Sequence, residues 1–311
     1  MSEIILSTKQ LTKRFSKRIL AVNELDLEVQ RGQVYGILGP NGSGKTTTLG
    51  MLLGVISKTK GKFSWFEKGD HHSLRKNIGA ILEQPNFYPF LSASQNMVVH
   101  SRIKDIKKPP IDELLKLVGL YDRRNDPFKT YSLGMKQRVA IASALLADPE
   151  VLIFDEPTNG LDPQGIAEIR KMIIDIRDMD KTIILASHLL DEVQKVCTHF
   201  AVLQKGKKIY SGSVAEALYK TNRITISADN PEKLWQVVES CPGVKSKNKE
   251  MESAVVELAE GWTTAALNKY LVENDVAVYY LQQKKSSLEE KFLDLLKENE
   301  KNHPTTLPTA R

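Results

Sequence analysis

The sequence has few cysteines and lacks a long apolar segment. Among its 311 residues there are two cysteines, Cys197 and Cys241, whose spacing fits neither a disulfide framework nor a metal site. No uninterrupted apolar run approaches the roughly twenty residues that a transmembrane helix requires. The N-terminal residues lack a basic start followed by an apolar core, so no secretory signal is predicted. These absences argue against a membrane-spanning or disulfide-stabilised protein and predict a reduced, cytosolic compartment.

Charge is plentiful but unevenly distributed. Hydrophobic residues make up 41% of the chain and charged residues 26%, a composition typical of globular proteins. The net charge of +6 divides into +8 on residues 1–220 and −2 on the remainder. A phosphate-binding protein, a partner of an anionic membrane face and a nucleic-acid-binding protein would all share this distribution. Charge alone therefore does not choose among these classes.

The periodicity of apolar residues predicts an α/β domain over residues 1–220. In this part of the chain, short strand-like runs alternate with helical segments, which is typical of an α/β layer architecture. The predicted strands are at residues 25–29, 33–38, 151–154 and 182–186, and the predicted helices are at 111–118, 133–146 and 166–176.

The pattern changes after residue 220. Strands at 224–226, 254–258 and 276–281 and helices at 231–241 and 263–274 predict a small α+β domain of the split βαβ kind over residues 221–300. A closing helix of this domain would present one apolar face, formed by Leu288, Phe292, Leu295 and Leu296. For residues 301–311 we expect a disordered tail.

The strongest chemical signal is a glycine-rich loop that follows the strand predicted at 33–38. The loop matches the phosphate-binding pattern G-x4-G-K-[ST] and precedes a helix, as this motif requires. It consists of Gly39, Pro40, Asn41, Gly42, Ser43, Gly44, Lys45 and Thr46. Its glycines let backbone N–H groups surround phosphates, Lys45 supplies a positive charge, and the Thr46 hydroxyl can bind Mg²⁺. A chance glycine-rich turn is the alternative, and the strand–loop–helix context argues for nucleotide binding.

A second signal is a pair of acidic residues after the apolar strand predicted at 151–154. Such a strand delivers Asp155 to its carboxyl end, where open α/β sheets bind their ligands. Asp155 can hold Mg²⁺ through water, and Glu156 is placed to orient an attacking water. The alternative is that both acids only cap the helix that follows Pro157.

These motifs, with others in the same order, resemble the nucleotide-binding subunit of ABC transporters over residues 1–220. The resemblance implies a P-loop NTPase-type ABC ATPase domain with a helical subdomain, which binds ATP and Mg²⁺. It assigns adenine stacking to Phe15 and adds Thr47 to the phosphate site. It also implies that Gln84 reaches Mg²⁺ and the attacking water, and that His188 senses the γ-phosphate. For Phe15 and His188, ordinary packing roles are the alternatives.

The signature of this family, usually Leu-Ser-Gly-Gly-Gln, is present here in altered form. Ser132 and Gly134 match it, whereas Leu133 replaces a glycine and Met135 replaces the glutamine. In the family this helix start binds the γ-phosphate of the ATP that the opposite subunit holds; on the residues alone, Ser132 is also a helix N-cap. This form of the signature is similar to that of bacterial antibiotic and peptide exporters with a separate permease chain.

The resemblance implies an ATP-hydrolysing homodimer at the cytoplasmic face of the membrane, coupled to integral membrane permease subunits. The loop at 159–162 would cross the dimer interface. The alternative from another class is a soluble ABC-type ATPase acting on nucleic acid or ribosomes. The chain has one phosphate loop and no heptad run, so we expect transport, with export as its direction, and no nucleic-acid partner.

The segment at residues 85–91 follows Gln84 and is rich in apolar and aromatic side chains. Two prolines restrict it to an extended or turn conformation. We expect Phe90 and Leu91 to be buried in the helical subdomain. We expect Phe87 and Tyr88 to be exposed, because in the family a groove beside this loop receives a short helix of the permease.

Overall fold

A computed structural model of the chain describes residues 3–69, 72–82, 85–219, 223–250, 252–284, 288, 289 and 292. They divide into two compact units, which lie within Met1–Ser213 and Val214–Asp294. The periodicity of the sequence places this boundary at about residue 220. Gln84, Leu295, Leu296 and the predicted tail at 301–311 lie outside the described residues.

The strands of the first unit form a mostly parallel sheet and an antiparallel sheet. They are β1 (Ile4–Arg14), β2 (Leu20–Leu25), β3 (Glu28–Gln30), β4 (Val34–Leu38), β5 (Lys60–Trp65), β6 (Ile78–Ile81), β7 (Val151–Asp155), β8 (Thr182–Ser187), β9 (His199–Gln204) and β10 (Lys207–Ser213). The larger sheet has the order β10-β9-β4-β8-β7-β6 and is parallel except for the β9–β10 hairpin. Every residue of β4, β7 and β8 is buried, which explains their continuous apolar sequences. The strands predicted at these three positions are confirmed.

The helices of the first unit surround the parallel sheet and build a helical subdomain. They are α1 (Lys45–Leu52), α2 (Ala93–Ile103), α3 (Ile111–Leu117), α4 (Leu133–Leu145), α5 (Pro163–Arg177) and α6 (Leu190–Val196). Helices α2, α3 and α4 are inserted between β6 and β7 and pack against one another. The helices predicted at 111–118, 133–146 and 166–176 are confirmed as α3, α4 and α5. Nowhere in the described part of the chain is a helix both long and apolar enough to span a membrane.

The antiparallel sheet corrects one predicted strand. Strand β1 pairs with β2, β3 and β5, and the run at 25–29 is split between β2 and β3. The cause is the buried Thr8 of β1, whose hydroxyl donates to the Leu25 carbonyl and accepts from the Leu27 N–H, each at 2.8 Å. The Thr8 N–H also donates to the Leu27 carbonyl oxygen, so one backbone and two side-chain hydrogen bonds hold residues 25–27 to β1 between the two strands. The prediction of one continuous strand is wrong for this reason.

The second unit is a four-stranded antiparallel sheet with helices packed against it. Its elements are α7 (Val214–Tyr219), β11 (Arg223–Ala228), α8 (Pro231–Ser240), β12 (Val244–Glu250), β13 (Ser253–Leu258), α9 (Thr264–Glu273) and β14 (Val278–Lys284). The strand order β12-β13-β11-β14 places β13 between β11 and β12, as the split βαβ prediction requires. Its core joins the sheet to α8 and α9 through Ile224, Ile226, Val256, Leu234 and Leu267.

Strand β12 is not predicted from the sequence. Only its first residue, Val244, is apolar, and the strand continues Lys-Ser-Lys-Asn-Lys-Glu, without the apolar alternation that marks a half-buried strand. It lies at an edge of the sheet, where charged side chains discourage pairing with another chain. Such a strand depends on pairing with β13 and leaves little signal in its own sequence.

We expect Thr8→Val to destabilise the first unit. Valine has nearly the same shape but leaves the buried Leu25 carbonyl and Leu27 N–H without their partner, which costs about 2 kcal/mol of unfolding free energy. Urea unfolding of the full chain measures this loss. Thr8→Ser keeps the hydroxyl and is the matched control. A valine variant as stable as the serine variant would show that the hydroxyl does not hold the two strands.

Candidate active site

The glycine-rich loop connects β4 to α1 in a conformation that depends on its glycines. Gly42 and Gly44 have φ angles of 79° and 103°, in the left-handed region that glycine adopts without strain. At Gly39, a Cβ atom would lie 2.4 Å from the Leu203 carbonyl oxygen. The same glycines that suggest a phosphate loop in the sequence are thus required by backbone geometry and close packing.

The side chain of Lys45 lies inside this loop. It is 5% exposed, and its Nζ donates to the Gly39 carbonyl oxygen at 2.8 Å. The same Nζ lies 3.3 Å from Oε1 of Glu156. Beside it, the buried Ser43 Oγ has no hydrogen-bond partner within the described residues. An enclosed ammonium group next to an unsatisfied hydroxyl fits a bound phosphate, because both can donate to its oxygens.

The loop forms one end of a pocket of about 540 Å³. Phe15 lies at its wall, exposed and with the Lys13 ammonium 4.9 Å from its ring centre. The predicted residues that line the pocket are Phe15, Asn41, Gly42, Gly44, Lys45, Thr46, Thr47 and Glu156. A cleft of about 830 Å³ elsewhere in the first unit contains none of them. An aromatic ring and a phosphate loop in one pocket suit a nucleotide.

Strand β7 brings two carboxylates to the edge of the phosphate loop. Asp155 is buried, and it lines a cavity of about 230 Å³ together with Thr46 and Glu156. A hydroxyl and a carboxylate are hard oxygen donors of the kind that Mg²⁺ prefers, and Mg²⁺ takes its remaining ligands from phosphates and water. Among the described residues, no cluster of three His, Cys, Asp or Glu side chains could hold a metal ion. The third predicted ligand, Gln84, lies outside the described residues.

The carboxylate of Glu156 joins the ends of three elements. Its Oε2 lies 2.7 Å from Nδ1 of His188 and accepts the backbone N–H of His188 at 3.3 Å. Its Oε1 faces the Lys45 ammonium. The backbone at Glu156 has a φ of 48°, and its N–H donates to the Ala186 carbonyl oxygen. The structure thus brings together Lys45, Glu156 and His188, which are far apart in sequence.

Two residues next to His188 in the fold, Ser187 and Glu192, are not predicted from the sequence as part of the site. Ser187 Oγ donates to Oε2 of Glu192 at 3.0 Å and accepts the Leu189 N–H at 3.0 Å. Glu192, in the first turn of α6, is 5% exposed. In the sequence it resembles an ordinary acidic residue at a helix N-terminus. The sequence signal for its contact with Ser187 is that Glu192 lies five residues after the end of β8. This spacing is too weak to predict the contact.

The signature residues form the start of α4, where Leu133 lines the cavity that contains Thr46 and Asp155. Ser132 caps the helix, its Oγ accepting the Met135 N–H at 3.2 Å, and neither Ser132 nor Gly134 lines the pocket that contains Phe15. The two replacements are accommodated locally. Leu133 lies against the loop at 159–162. A Cβ atom added to Gly160 would be only 3.1 Å from Cδ2 of Leu133. The sulfur of Met135 lies 3.6 Å from a guanidinium nitrogen of Arg123.

Burial in the segment at 85–91 differs from the prediction for two aromatic residues. Phe87 is half-buried; its ring stacks on His100 at 4.7 Å and packs against Phe128 at 5.0 Å. Phe90 is 77% exposed, under the ammonium of Lys129. The expectation of an exposed Phe87 and a buried Phe90 is therefore wrong. The cause lies in α2 and in the residues before α4, which provide the ring partners of Phe87.

Of the other two predictions for this segment, the exposure of Tyr88 is confirmed, whereas Leu91 is buried only in part. Tyr88 is 59% exposed and Leu91 is half-buried. The buried Asn96 fixes the loop, because its amide accepts the Tyr88 N–H and donates to the Tyr88 and Leu91 carbonyl oxygens. Burial, and secondarily the charge of Lys104, lower the pKa of His100 below its usual value, which favours the neutral ring beneath Phe87.

Comparisons with known proteins agree with one another. A family model described as ABC transporter matches residues 22–159. The uncharacterized ABC transporter ATP-binding protein YhcH of Bacillus subtilis (strain 168) is 38% identical, over 94% of this chain and 95% of its own. The bacitracin transport ATP-binding protein BcrA of Bacillus licheniformis is 36% identical, over 94% of this chain and 97% of its own.

A solved structure agrees with these matches. The protein is cbiO1 from Clostridium perfringens, described as part of the ABC transporter complex cbiONQ. It matches with a TM-score of 0.64 at 31% identity, covering 70% of this chain and 92% of that protein.

We expect Glu192→Ala to lower the rate of ATP turnover about tenfold without weakening nucleotide binding, since one hydrogen bond to a charged group is worth roughly 1.5 kcal/mol. The loss arises because the Ser187 hydroxyl, which accepts the Leu189 N–H on the other side of His188, loses the acceptor that orients it. Steady-state kinetics and a binding titration separate the two effects. Glu192→Gln keeps an acceptor and should restore most of the rate. If Glu192→Ala lowers the rate equally in a His188→Ala background, it does not act through His188.

Proposed function

The chain belongs to the ABC transporter family of ATP-binding subunits, and on that premise we propose that Lys45, Glu156 and His188 form the hydrolytic half of a composite ATP site. Members of this family hydrolyse ATP to power transport. The observation that carries the proposal is the Glu156 carboxylate, which faces both the phosphate-loop lysine and His188 at the carboxyl end of β7. Open α/β sheets bind their ligands at this edge.

In this proposal the residues around the phosphate loop position ATP and the attacking water. Phe15 stacks on the base, the loop and Lys45 bind the phosphates, and Thr46 and Asp155 hold Mg²⁺. Bound Mg²⁺ supplies positive charge to the phosphate oxygens. Gln84 keeps its expected role toward Mg²⁺ and water.

The reaction is hydrolysis of the terminal phosphate. Glu156 orients a water and accepts its proton, the water oxygen bonds to the γ-phosphorus, and the bond to the bridging oxygen breaks, giving ADP and phosphate. His188 donates a hydrogen bond to the γ-phosphate. Positioning and charge stabilisation account for most of the catalysis, since the transferred group itself needs no covalent help from the protein.

A second copy of the chain completes the site. Ser132 and Gly134 lie at an α-helix N-terminus that is outside the phosphate pocket of their own chain, and such a terminus favours anions. We therefore assign them to the γ-phosphate held by the partner in a homodimer. ATP stabilises the closed dimer because it binds that state better, and hydrolysis removes the contact and reopens it.

The names of the relatives support a proposal for the cargo class. BcrA is named a bacitracin transport ATP-binding protein, and it matches nearly the full length of this chain. We extend this to export of an antibiotic or peptide through separate permease subunits, with the chain at the cytoplasmic face of the membrane. Tyr88 and Phe90 form the exposed permease contact of the helical subdomain, because exposed aromatic anchors dominate interface energies. Nothing in the comparisons favours an ATPase that acts on nucleic acid.

We expect Glu156→Gln to bind ATP but to lose at least about 100-fold in turnover, because the amide cannot accept the proton of the attacking water. The variant should accumulate as an ATP-bound dimer, visible by size-exclusion chromatography with light scattering. Adding Ser132→Arg should abolish that dimer and leave ATP binding by the monomer unchanged. Unimpaired turnover in Glu156→Gln would remove Glu156 from this role; a dimer that tolerates Ser132→Arg would contradict the composite site.

We expect Tyr88→Ala with Phe90→Ala to reduce the fraction of the chain that sediments with native membranes, by severalfold or more. ATP binding and unfolding midpoint should stay unchanged, because both side chains are exposed. The matched control is Ile103→Ala, which removes an equally exposed apolar side chain at the end of α2. Equal losses in the variant and the control, or no membrane association of the unmodified chain, would argue against this contact.

A further inference from the structure

Gln137, in the second turn of α4, is a buried polar residue that the proposed mechanism does not use. Its side chain is 6% exposed, whereas glutamine is mostly found at protein surfaces. The residues at 139–145, which follow it in the helix, are buried as well. No hydrogen bond joins its side-chain amide to another residue that the structure describes. Burial of an amide is unfavourable without a hydrogen bond, so this side chain needs a partner.

Gln137 lines the cavity of about 230 Å³ at the carboxyl end of β7. The predicted magnesium ligands Thr46 and Asp155 line this cavity too, and so does Glu156. Leu133 also lines it and precedes Gln137 by four residues, so both side chains project from one face of α4. The second turn of α4 therefore faces the magnesium ligands of its own chain, and an amide there can hydrogen-bond to what binds between them.

The cavity is large enough for a hydrated cation. Each water takes up about 30 Å³, so the cavity has room for several waters. Mg²⁺ at a nucleotide keeps several of its waters, and these are strong hydrogen-bond donors because the cation polarises them. Both oxygens of Glu156 are already engaged, Oε1 by the Lys45 ammonium and Oε2 by His188. The amide oxygen of Gln137 is thus an acceptor in the cavity that these contacts do not occupy.

We propose that the Gln137 amide oxygen accepts a hydrogen bond from a water on the Mg²⁺ that Thr46 and Asp155 bind in the same chain. The inference rests on the proposed function, which places Mg²⁺ beside these two residues. A neutral amide suits the position, because it supplies an acceptor without adding a third negative charge to Asp155 and Glu156. Helix α4 then serves two nucleotides. Its start faces the γ-phosphate of the partner's ATP, and its second turn holds a Mg²⁺ water of its own chain.

The Mg²⁺ dependence of ATP binding tests this contact. All variants carry Ser132→Arg, which keeps the chain monomeric, so that each chain is measured with its own nucleotide alone. ATP is titrated with excess Mg²⁺ and again with a chelator, and the ratio of the two dissociation constants gives the contribution of Mg²⁺. We expect Gln137→Met to reduce this contribution at least about tenfold, as the loss of an outer-shell partner of a metal does. ATP affinity in the chelator should stay unchanged.

Gln137→Glu separates hydrogen bonding from packing. It keeps an acceptor of the same reach and adds a charge that attracts Mg²⁺, so it should retain or raise the Mg²⁺ contribution. A role in packing alone predicts the reverse order, because methionine fills a buried site better than a carboxylate does. The matched control is Gln164→Met, at an exposed glutamine of α5 that lies outside this cavity, and it should leave the Mg²⁺ contribution unchanged.

The outcomes distinguish this inference from the proposed ATP site. An unchanged Mg²⁺ contribution in Gln137→Met, with a clear contribution in the parent, would overturn the inference and leave the ATP site in place. An equal loss of ATP affinity in the chelator would overturn it too, by indicating a direct hydrogen bond from the amide to phosphate. A loss that appears only without Ser132→Arg would show that Gln137 acts on the partner's nucleotide instead. No Mg²⁺ contribution in the parent would contradict the Mg²⁺ site of the proposed function itself.

Discussion

The Glu156 carboxylate, shared between the Lys45 ammonium and His188, is the interaction on which the site depends. It ties the phosphate loop after β4 to the ends of β7 and β8, three neighbouring parts of the parallel sheet. Glu156 reaches this position in a left-handed backbone conformation that costs about 1–3 kcal/mol in general. The hydrogen bond to Ala186 and the two side-chain contacts offset that strain. The buried strands therefore serve the site by fixing where these three ends meet.

What the sequence predicts well is local. The phosphate loop and the pair Asp155 and Glu156 are each written in a few consecutive residues, and the strands before them are buried on both faces, so their apolar runs are easy to recognise. What it misses depends on residues far along the chain. The hydrogen bond between Ser187 and Glu192 forms only when α6 packs against the end of β8. The burial of Phe87 depends on its packing against His100 and Phe128. The formation of strand β12 depends on its pairing with β13.

The two departures in the signature affect side chains and leave the helix start intact. The N-terminus of α4 keeps its cap, because Ser132 accepts the Met135 N–H through a side chain that the replacements do not alter. Leu133 fills space beside Gly160, and Met135 is held under Arg123. An anion at a helix N-terminus is bound mainly by backbone N–H groups and the helix dipole. A signature that lacks the usual glycine and glutamine therefore keeps the groups that the proposed phosphate contact uses.

The contact between Lys45 and Glu156 also links nucleotide binding to catalysis. A nearly buried ammonium needs a counter-charge, which Glu156 supplies, and the Gly39 carbonyl oxygen accepts a hydrogen bond from it. In the proposed site the phosphates of ATP take over this role, since they carry more charge and lie within the loop. The carboxylate is then released from the lysine and is free to orient a water, while the backbone N–H of His188 still holds its other oxygen. In this proposal, phosphate binding frees Glu156 to act as the base, because one lysine has two alternative anionic partners.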